Sequence, residues 1–396
     1  MSKNGKLGLP SHQKTISMPT SGEQNKTFYE CLQMEKALDL RDNRGKRHDL
    51  SLILLGVVLA LLRKRDGVLS SIHRSMVNTH SQLCEALGVE NTGVISRPQL
   101  PNVLAKVNIS LFSSLLFSHY GLKLSHSERK WFAADGKELC GSIAKGKKRG
   151  EALVQVVAHE DGSTVAQDFY NGRKQSEKPA IRKLLSHQGL LGQGLSLDAL
   201  HMNPATLRAI AQAEGIFLVG LKKNQKELEA DMRHLSLRRK PIAQDQTIEK
   251  GHGRLDIRHY EAFCVKNEYF DQRWLECGFT TLIKVKRERT LLKEGKTSSE
   301  TAFFLSNEPS GQNQDLFQAV RGHWAVETNN HIRDVTLDED RFRSSQKEIA
   351  RSMASIRTLI VRILQTIRPP NLIAQIENYQ DNFALLINDL RQIQFL

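Results

Sequence analysis

Between residues 130 and 238, short apolar β-branched runs alternate with segments of helical spacing, and this alternation restricts the fold more than any other feature of the chain. KWFAADGK, ALVQVVAHEDG and STVAQDFY read as three successive strands, with EDGS suited to a hairpin turn between the last two. EKPAIRKLLSHQG has helical spacing, Pro near its start and Gly at its end. GLSLDALH is a short strand ending in an acid, and NPATLRAIAQAEG a helix with Asn203 as N-cap and Pro204 in its first turn. IFLVGLKK is a strand and NQKELEADMRHL a helix. The order β-β-β-α-β-α-β-α is that of an α/β fold with a mixed sheet whose early strands form a meander.

The flanking segments have a different texture. Residues 1–27 read as a disordered polar tail without the apolar stretch of a signal peptide. Residues 28–125 read as a helical N-terminal region, a DNA-binding or accessory domain, containing the apolar run Leu50–Leu62. That run falls short of the roughly 20 residues needed to span a bilayer, so it reads as a buried helix and no membrane association is expected. Just before it, RDNRGKRHDL carries Arg41, Arg44, Lys46 and Arg47, a cluster that suits a solvated helix start or a phosphate contact.

Residues 126–239 form the first part of the α/β core. A β-rich insertion follows at 240–310, with strands in RLDIRHYEAFCV, FTTLIKVKRERTLL and SETAFFLSN. Residues 311–368 return to helix: NQDLFQAVRGHWAVETNNHIRDV is expected as one long amphipathic helix, and QKEIARSMASIRTLIVRILQTI as another that Pro369–Pro370 ends. A tail with one or two small helices occupies 369–396. The five cysteines are scattered without C-x-x-C spacing, which fits a reducing cytoplasm better than a disulfide framework or a zinc site.

Three acids stand out. Asp135 ends an apolar strand and precedes Gly136, Asp198 ends another strand, and Glu327 lies in a helix among Arg321, His323, Trp324, Asn330 and His331. Acids beyond strand C-termini of an open α/β sheet lie where such folds build sites. Two such carboxylates joined by a helical Glu supply hard oxygen ligands for two Mg²⁺ (or Mn²⁺) ions, the requirement of metal-assisted phosphoryl transfer. Singly, each acid also fits a turn, a helix cap or a surface position, and Asp334, Asp338, Glu339 and Asp340 make the choice of Glu327 less secure.

The net charge of +14 points to an anionic partner. Residues 121–150 hold eight Lys/Arg, namely Lys123, Arg129, Lys130, Lys137, Lys145, Lys147, Lys148 and Arg149, against three acids. LKKNQ, with Lys222 and Asn224, follows the strand after the second acid. Each patch alone suits a solvated face; beside candidate metal acids it suits a grip on DNA. Trp324 can stack on a base or fill a core. No G-x-S-x-G, P-loop or dinucleotide fingerprint occurs.

FAADGKELCGS, LSLDALHMNPATLRAIAQAEGIFLVGLKKNQKEL, EKGHGRLDIRHYEAF and RGHWAVETNNHIRDVTLDEDRFR, in that order, resemble the DDE transposases of ISAs-type insertion sequences, which include the H-repeat-associated proteins. The resemblance spans about residues 28 to 365. It implies a ribonuclease H-like fold with a β-rich insertion before the last acid, and a triad of Asp135, Asp198 and Glu327. It implies that Arg321, His323 and Trp324 position DNA near Glu327, and that Lys222 and Asn224 lie near the second acid. The implied activity is Mg-dependent cleavage at element ends and strand transfer into target DNA, by a homo-oligomer on double-stranded DNA at the bacterial nucleoid. The alternatives are a nuclease of the same fold and a decayed, non-enzymatic DNA-binding protein. The sequence departs from the family at Cys140 (usually Arg), Thr328 (usually Asn) and Ile332 (usually aromatic). Losing the Arg removes a charge-assisted phosphate contact.

Overall fold

The computed structural model describes residues 26–63, 68–121, 129–251, 253–309 and 313–396. All but the last two residues of the expected polar tail, and Lys123 of the basic stretch, lie outside them.

The N-terminal helices are α1 (Phe28–Met34), α2 (Leu50–Leu62), α3 (Leu69–Leu87), α4 (Gln99–Leu104) and α5 (Ile109–Tyr120). α2 is apolar on every side and almost wholly buried, as a helix without a polar face must be. Asp49 caps it, accepting from the Leu52 N–H at 3.0 Å. Helix α3 ends on Gly88, whose φ of +65° supplies the left-handed C-cap.

The strands come next. β1 (Trp131–Glu138), β2 (Ala152–Ala158) and β3 (Thr164–Tyr170) form an antiparallel meander. In its tight turn the Ser163 N–H donates to Asp161 Oδ1 at 2.9 Å. After α6 (Lys174–His187), β4 (Gly194–Leu197) pairs parallel with β1; after α7 (Pro204–Gln212), β5 (Ile216–Leu221) pairs parallel with β4. The order β3-β2-β1-β4-β5, with β2 alone antiparallel to its neighbours β1 and β3, is the ribonuclease H-like arrangement. Every residue of β2 and β5 is buried, because helices cover both faces. β1 runs three residues past Asp135, so this acid stands inside the strand rather than at its end. Its ladder with β2 continues to Glu138↔Ala152, whereas the ladder with β4 stops at Ala134↔Leu197.

Beyond α8 (Lys226–Arg238) the insertion supplies four strands, β6 (Ala243–Gly251), β7 (Arg254–Cys264), β8 (Thr281–Leu291) and β9 (Lys296–Ser306). Strand β9 pairs antiparallel with β5, so the insertion prolongs the central sheet to nine strands among the described residues. Its outer half is exposed: the first six residues of β9 face solvent.

The expected single helix over 313–335 is broken. α9 (Asn313–Gly322) ends at His323, α10 (Trp324–His331) follows, and a π-helical turn closes the segment at Ile332–Thr336. Gly322 lies against His159, whose Nδ1 is 2.1 Å from where a Cβ would stand, so the close approach excludes a side chain there. The last helices are α11 (Lys347–Ile367), α12 (Leu372–Asp381) and α13 (Phe383–Gln392). They share one apolar core with α1–α5, built on Phe28, Leu55, Leu62, Ile360 and Leu390.

A buried ionic network ties this helical body to the sheet. Arg333, 0% exposed, donates to Glu339 at 2.8 and 2.7 Å and to Thr358 Oγ1 at 2.7 Å. Burial works against the Glu339 charge, but the Arg333 guanidinium holds its carboxyl below the usual range. Glu339→Ala leaves a buried guanidinium without its anion and should cost about 3–5 kcal/mol in urea denaturation. A loss under about 1 kcal/mol would show that the network contributes little.

Candidate active site

β1 alternates its side chains between two faces. Phe132 and Ala134 point into the core under α6, and Ala133 packs with Val157 and Val326 beneath α10. Asp135 shares the α10 face. Its cross-strand partner Gln155 donates through Nε2 to Asn330 Oδ1 of α10 at 2.6 Å.

One step beyond the last β1–β4 pair, Ala134↔Leu197, the same parallel register sets Asp198 beside Asp135. Asp198 starts a 3-10 turn over Ala199–His201 and caps it, accepting from the Leu200 N–H at 2.9 Å. Burial, and then the Asp198 carboxylate, push the Asp135 pKa up to about 7; the Glu177 charge adds to this and the Gly136 N–H opposes it. A carboxyl raised by burial and by a neighbouring carboxylate is set up for a cation to relieve, and both acids offer hard oxygen donors. This pair fits a divalent metal. Glu327 does not close on it: its side chain is exposed on α10, and among the described residues no group of three His, Cys, Asp or Glu side chains gathers for one ion.

The expected DNA contacts divide into exposed and engaged residues. Lys145, Lys147 and Lys148 are exposed in the loop after β1, and Lys222 is exposed where β5 ends. Arg149 pairs with Glu138 at 2.8 Å. Asn224 donates to the Ala199 carbonyl at 2.6 Å, bracing the turn that carries Asp198. Arg321 is held by Glu249 of β6 at 3.1 and 3.0 Å and stacks over Trp324 at 4.8 Å. His323 Nδ1 lies 3.0 Å from Ser196 Oγ, which is itself 2.8 Å from His159 Nε2. Burial pushes His323 below the ordinary imidazole range despite the nearby Asp198 charge. Trp324, Trp131 and Tyr260 line an open cleft of about 920 Å³ beside α10.

Lys137 departs from the expected basic patch. It is 8% exposed and its ammonium lies 2.5 Å from Asp334, 3.7 Å from Asp340 and 3.9 Å from Glu339. It neutralises the acidic segment after α10 instead of facing solvent. Glu177, on α6, is a further buried acid near Asp135, and no motif or strand position marks it in the sequence. Its one signal is Gly136, since a glycine inside a strand marks a close approach.

A ribonuclease H-like sheet with one acid inside β1 and a second just past the end of the neighbouring parallel strand β4 defines the scaffold. Residues 123–363 match the transposase DDE domain, and the chain belongs to that family, in its insertion-sequence form. It is 24% identical to YbfL of Escherichia coli K12 over 82% of this chain and 87% of that protein. It is 22% identical to YncI of Escherichia coli O157:H7, described as a candidate transposase, over 83% and 85% respectively. A solved piggyBac transposase synaptic complex with hairpin DNA aligns over 95% of this chain and 81% of that one, with a TM-score of 0.47 and 9% identity.

The raised Asp135 pKa has a consequence for stability. An acid with a folded pKa near 7 keeps its proton in the native state after the unfolded chain has lost it, so native stability falls as pH rises from about 4 to 7. Asp135→Asn removes that cost. Without metal it should be more stable than wild type at pH 8, by up to about 4 kcal/mol, with the gap closing towards pH 4. Urea titrations that differ by a constant amount across this range would refute the raised pKa.

Proposed function

We propose that this protein cuts DNA phosphodiester bonds at the ends of its element and joins the freed 3′-hydroxyl to target DNA. Asp135, Asp198 and Glu327 would be the carboxylates that hold two Mg²⁺ or Mn²⁺ ions. The observation that carries this reading is the Asp135–Asp198 pair, set side by side by the β1–β4 register. When bound, the ions supply activation of the attacking water or 3′-hydroxyl and charge stabilisation on the leaving oxygen.

The chain's own residues then have separable tasks. Asp135, fixed within a paired strand, and Asp198, fixed by its turn, set the donor geometry on rigid elements. Glu327, exposed on α10 and apart from the pair here, would have to close on it to complete the set; the neighbouring Val326 packs on Ala133 of β1. Lys145, Lys147, Lys148 and Lys222, all exposed, hold the phosphate backbone on the loops around the pair. Arg321, His323 and Trp324 shape the wall beside Glu327. The protein would act as a homo-oligomer on paired ends, in the cytoplasm at the nucleoid. Among the described residues no helix is long and apolar enough to cross a membrane.

Terminal-repeat DNA carried on a plasmid tests this reading. Wild type should cut and join only with Mg²⁺ or Mn²⁺, and chelation should abolish both steps. Asp135→Asn, Asp198→Asn and Glu327→Gln should each fall to background while still binding DNA. Activity in any of these variants would overturn that residue's role. Cutting without joining would identify a nuclease; metal-independent binding with no cutting would identify a DNA-binding protein. Replacing Lys145, Lys147 and Lys148 with Ala should weaken binding and reduce its salt dependence, with a slope lower by about 0.9 per lost phosphate contact. An unchanged slope in a filter-binding or anisotropy series would remove this loop from the DNA contact.

A further inference from the structure

Glu177 lies in the first turns of α6, 7% exposed, beneath β1. Its Cδ is 2.5 Å from where a Cβ on Gly136 would stand, so any side chain at 136 would push this carboxylate out of its place. Glu177 Oε2 accepts from the Tyr170 hydroxyl at 2.9 Å, and Oε1 accepts from His201 Nε2 at 3.2 Å. His201 is 0% exposed and closes the turn that Asp198 opens; its Nε2 is 3.9 Å from Asp198 Oδ1. A chain of contacts therefore runs from α6 through Glu177 and His201 to Asp198, and through Gly136 to Asp135.

Burying a carboxylate and an imidazole is costly unless each is bonded. Here the Glu177–His201 bond is spent on the turn next to the paired acids and is the one side-chain bond His201 makes among the described residues, its Nδ1 having no partner; α6 is anchored by Ile181 and Leu185 in the core below. Asn224 braces the same turn from the other side, at Ala199. We propose that Glu177 is a positioning residue for the Asp135–Asp198 pair, acting as the hydrogen-bond acceptor that locks His201 and with it the Asp198 turn. The proposal rests on the reading of Asp135 and Asp198 as the reacting pair. Supporting groups of this kind are worth about tenfold to a hundredfold in metal affinity or activity.

The role as acceptor, rather than as a charge, sets the test. Gln at position 177 keeps a carbonyl oxygen for His201 Nε2–H and places an N–H₂ group towards the Tyr170 oxygen, whereas Ala keeps neither. Glu177→Ala, Glu177→Gln, His201→Leu and Asp198→Asn are compared with wild type in two assays. One is kcat and KM for terminal-repeat cleavage with Mn²⁺; the other is Mn²⁺ binding to the DNA-free protein by electron paramagnetic resonance. Glu177→Ala and His201→Leu should each lose about tenfold to a hundredfold in kcat and weaken Mn²⁺ binding, with the KM for DNA unchanged. Glu177→Gln should stay within about threefold of wild type in both assays, as an intact bond network requires.

Full kcat in Glu177→Ala or in His201→Leu overturns the proposal, and so does a Gln variant as impaired as Ala, which would mean that the charge acts directly. Should Glu177→Ala fail to fold, His201→Leu and Glu177→Gln decide the matter by the same criteria. Asp198→Asn separates the two levels: if it cuts normally, the pair is not the reacting centre and the proposal falls with it; if it is inactive, the Glu177 and His201 results stand alone.

Discussion

The parallel pairing of β1 with β4 is the constraint on which the site depends. It sets Asp135 of β1 and Asp198, the first residue past β4, side by side, one step beyond the point where the ladder ends. Like charges so placed repel, and the sheet holds them together only because its strands are fixed by burial on both faces. The cost is visible in Asp135, whose carboxyl is pushed towards neutrality by burial and by Asp198. A divalent cation held between the two would relieve that repulsion.

The rest of the molecule serves to keep that pairing rigid and to bring α10 over it. Lys137, two residues beyond Asp135 on the same face, is gripped by the acids at 334, 339 and 340. Glu339 in turn engages Arg333, which reaches Thr358 and the Ala354 carbonyl on α11. The segment after α10 is thus tied to β1 at one end and to the helical body at the other. On the far side, Arg321 binds Glu249, so the insertion touches the α9–α10 corner as well as extending the sheet.

How much of this could be read beforehand follows from the range of the interactions. Strands β1 to β5 and the helices between them are legible because their apolar runs, turn residues and caps are local. β6 is not: AQDQTIEKG is polar and alternating, and it becomes a strand through its ladder with β7. The break at His323 is hidden because helical spacing continues through it, and the close approach of Gly322 to His159 beside it involves another element. Lys137 looks like its exposed neighbours in composition, and only acids some 200 residues away make it a buried cation. Asp135 and Asp198 are recognisable by type and strand position, whereas Glu177 is visible only through the glycine it demands.

The proposed metal centre requires that Asp135 and Asp198 form one repulsive carboxylate pair that a divalent ion relieves. Calorimetric titration of Mn²⁺ into the DNA-free protein at pH 7, repeated in buffers of different ionisation enthalpy, measures the protons expelled on binding. With an Asp135 pKa of about 7, about half a proton should leave per protein, and none in Asp135→Asn. Metal binding without proton release in wild type, or equal release in Asp135→Asn, would contradict the claim.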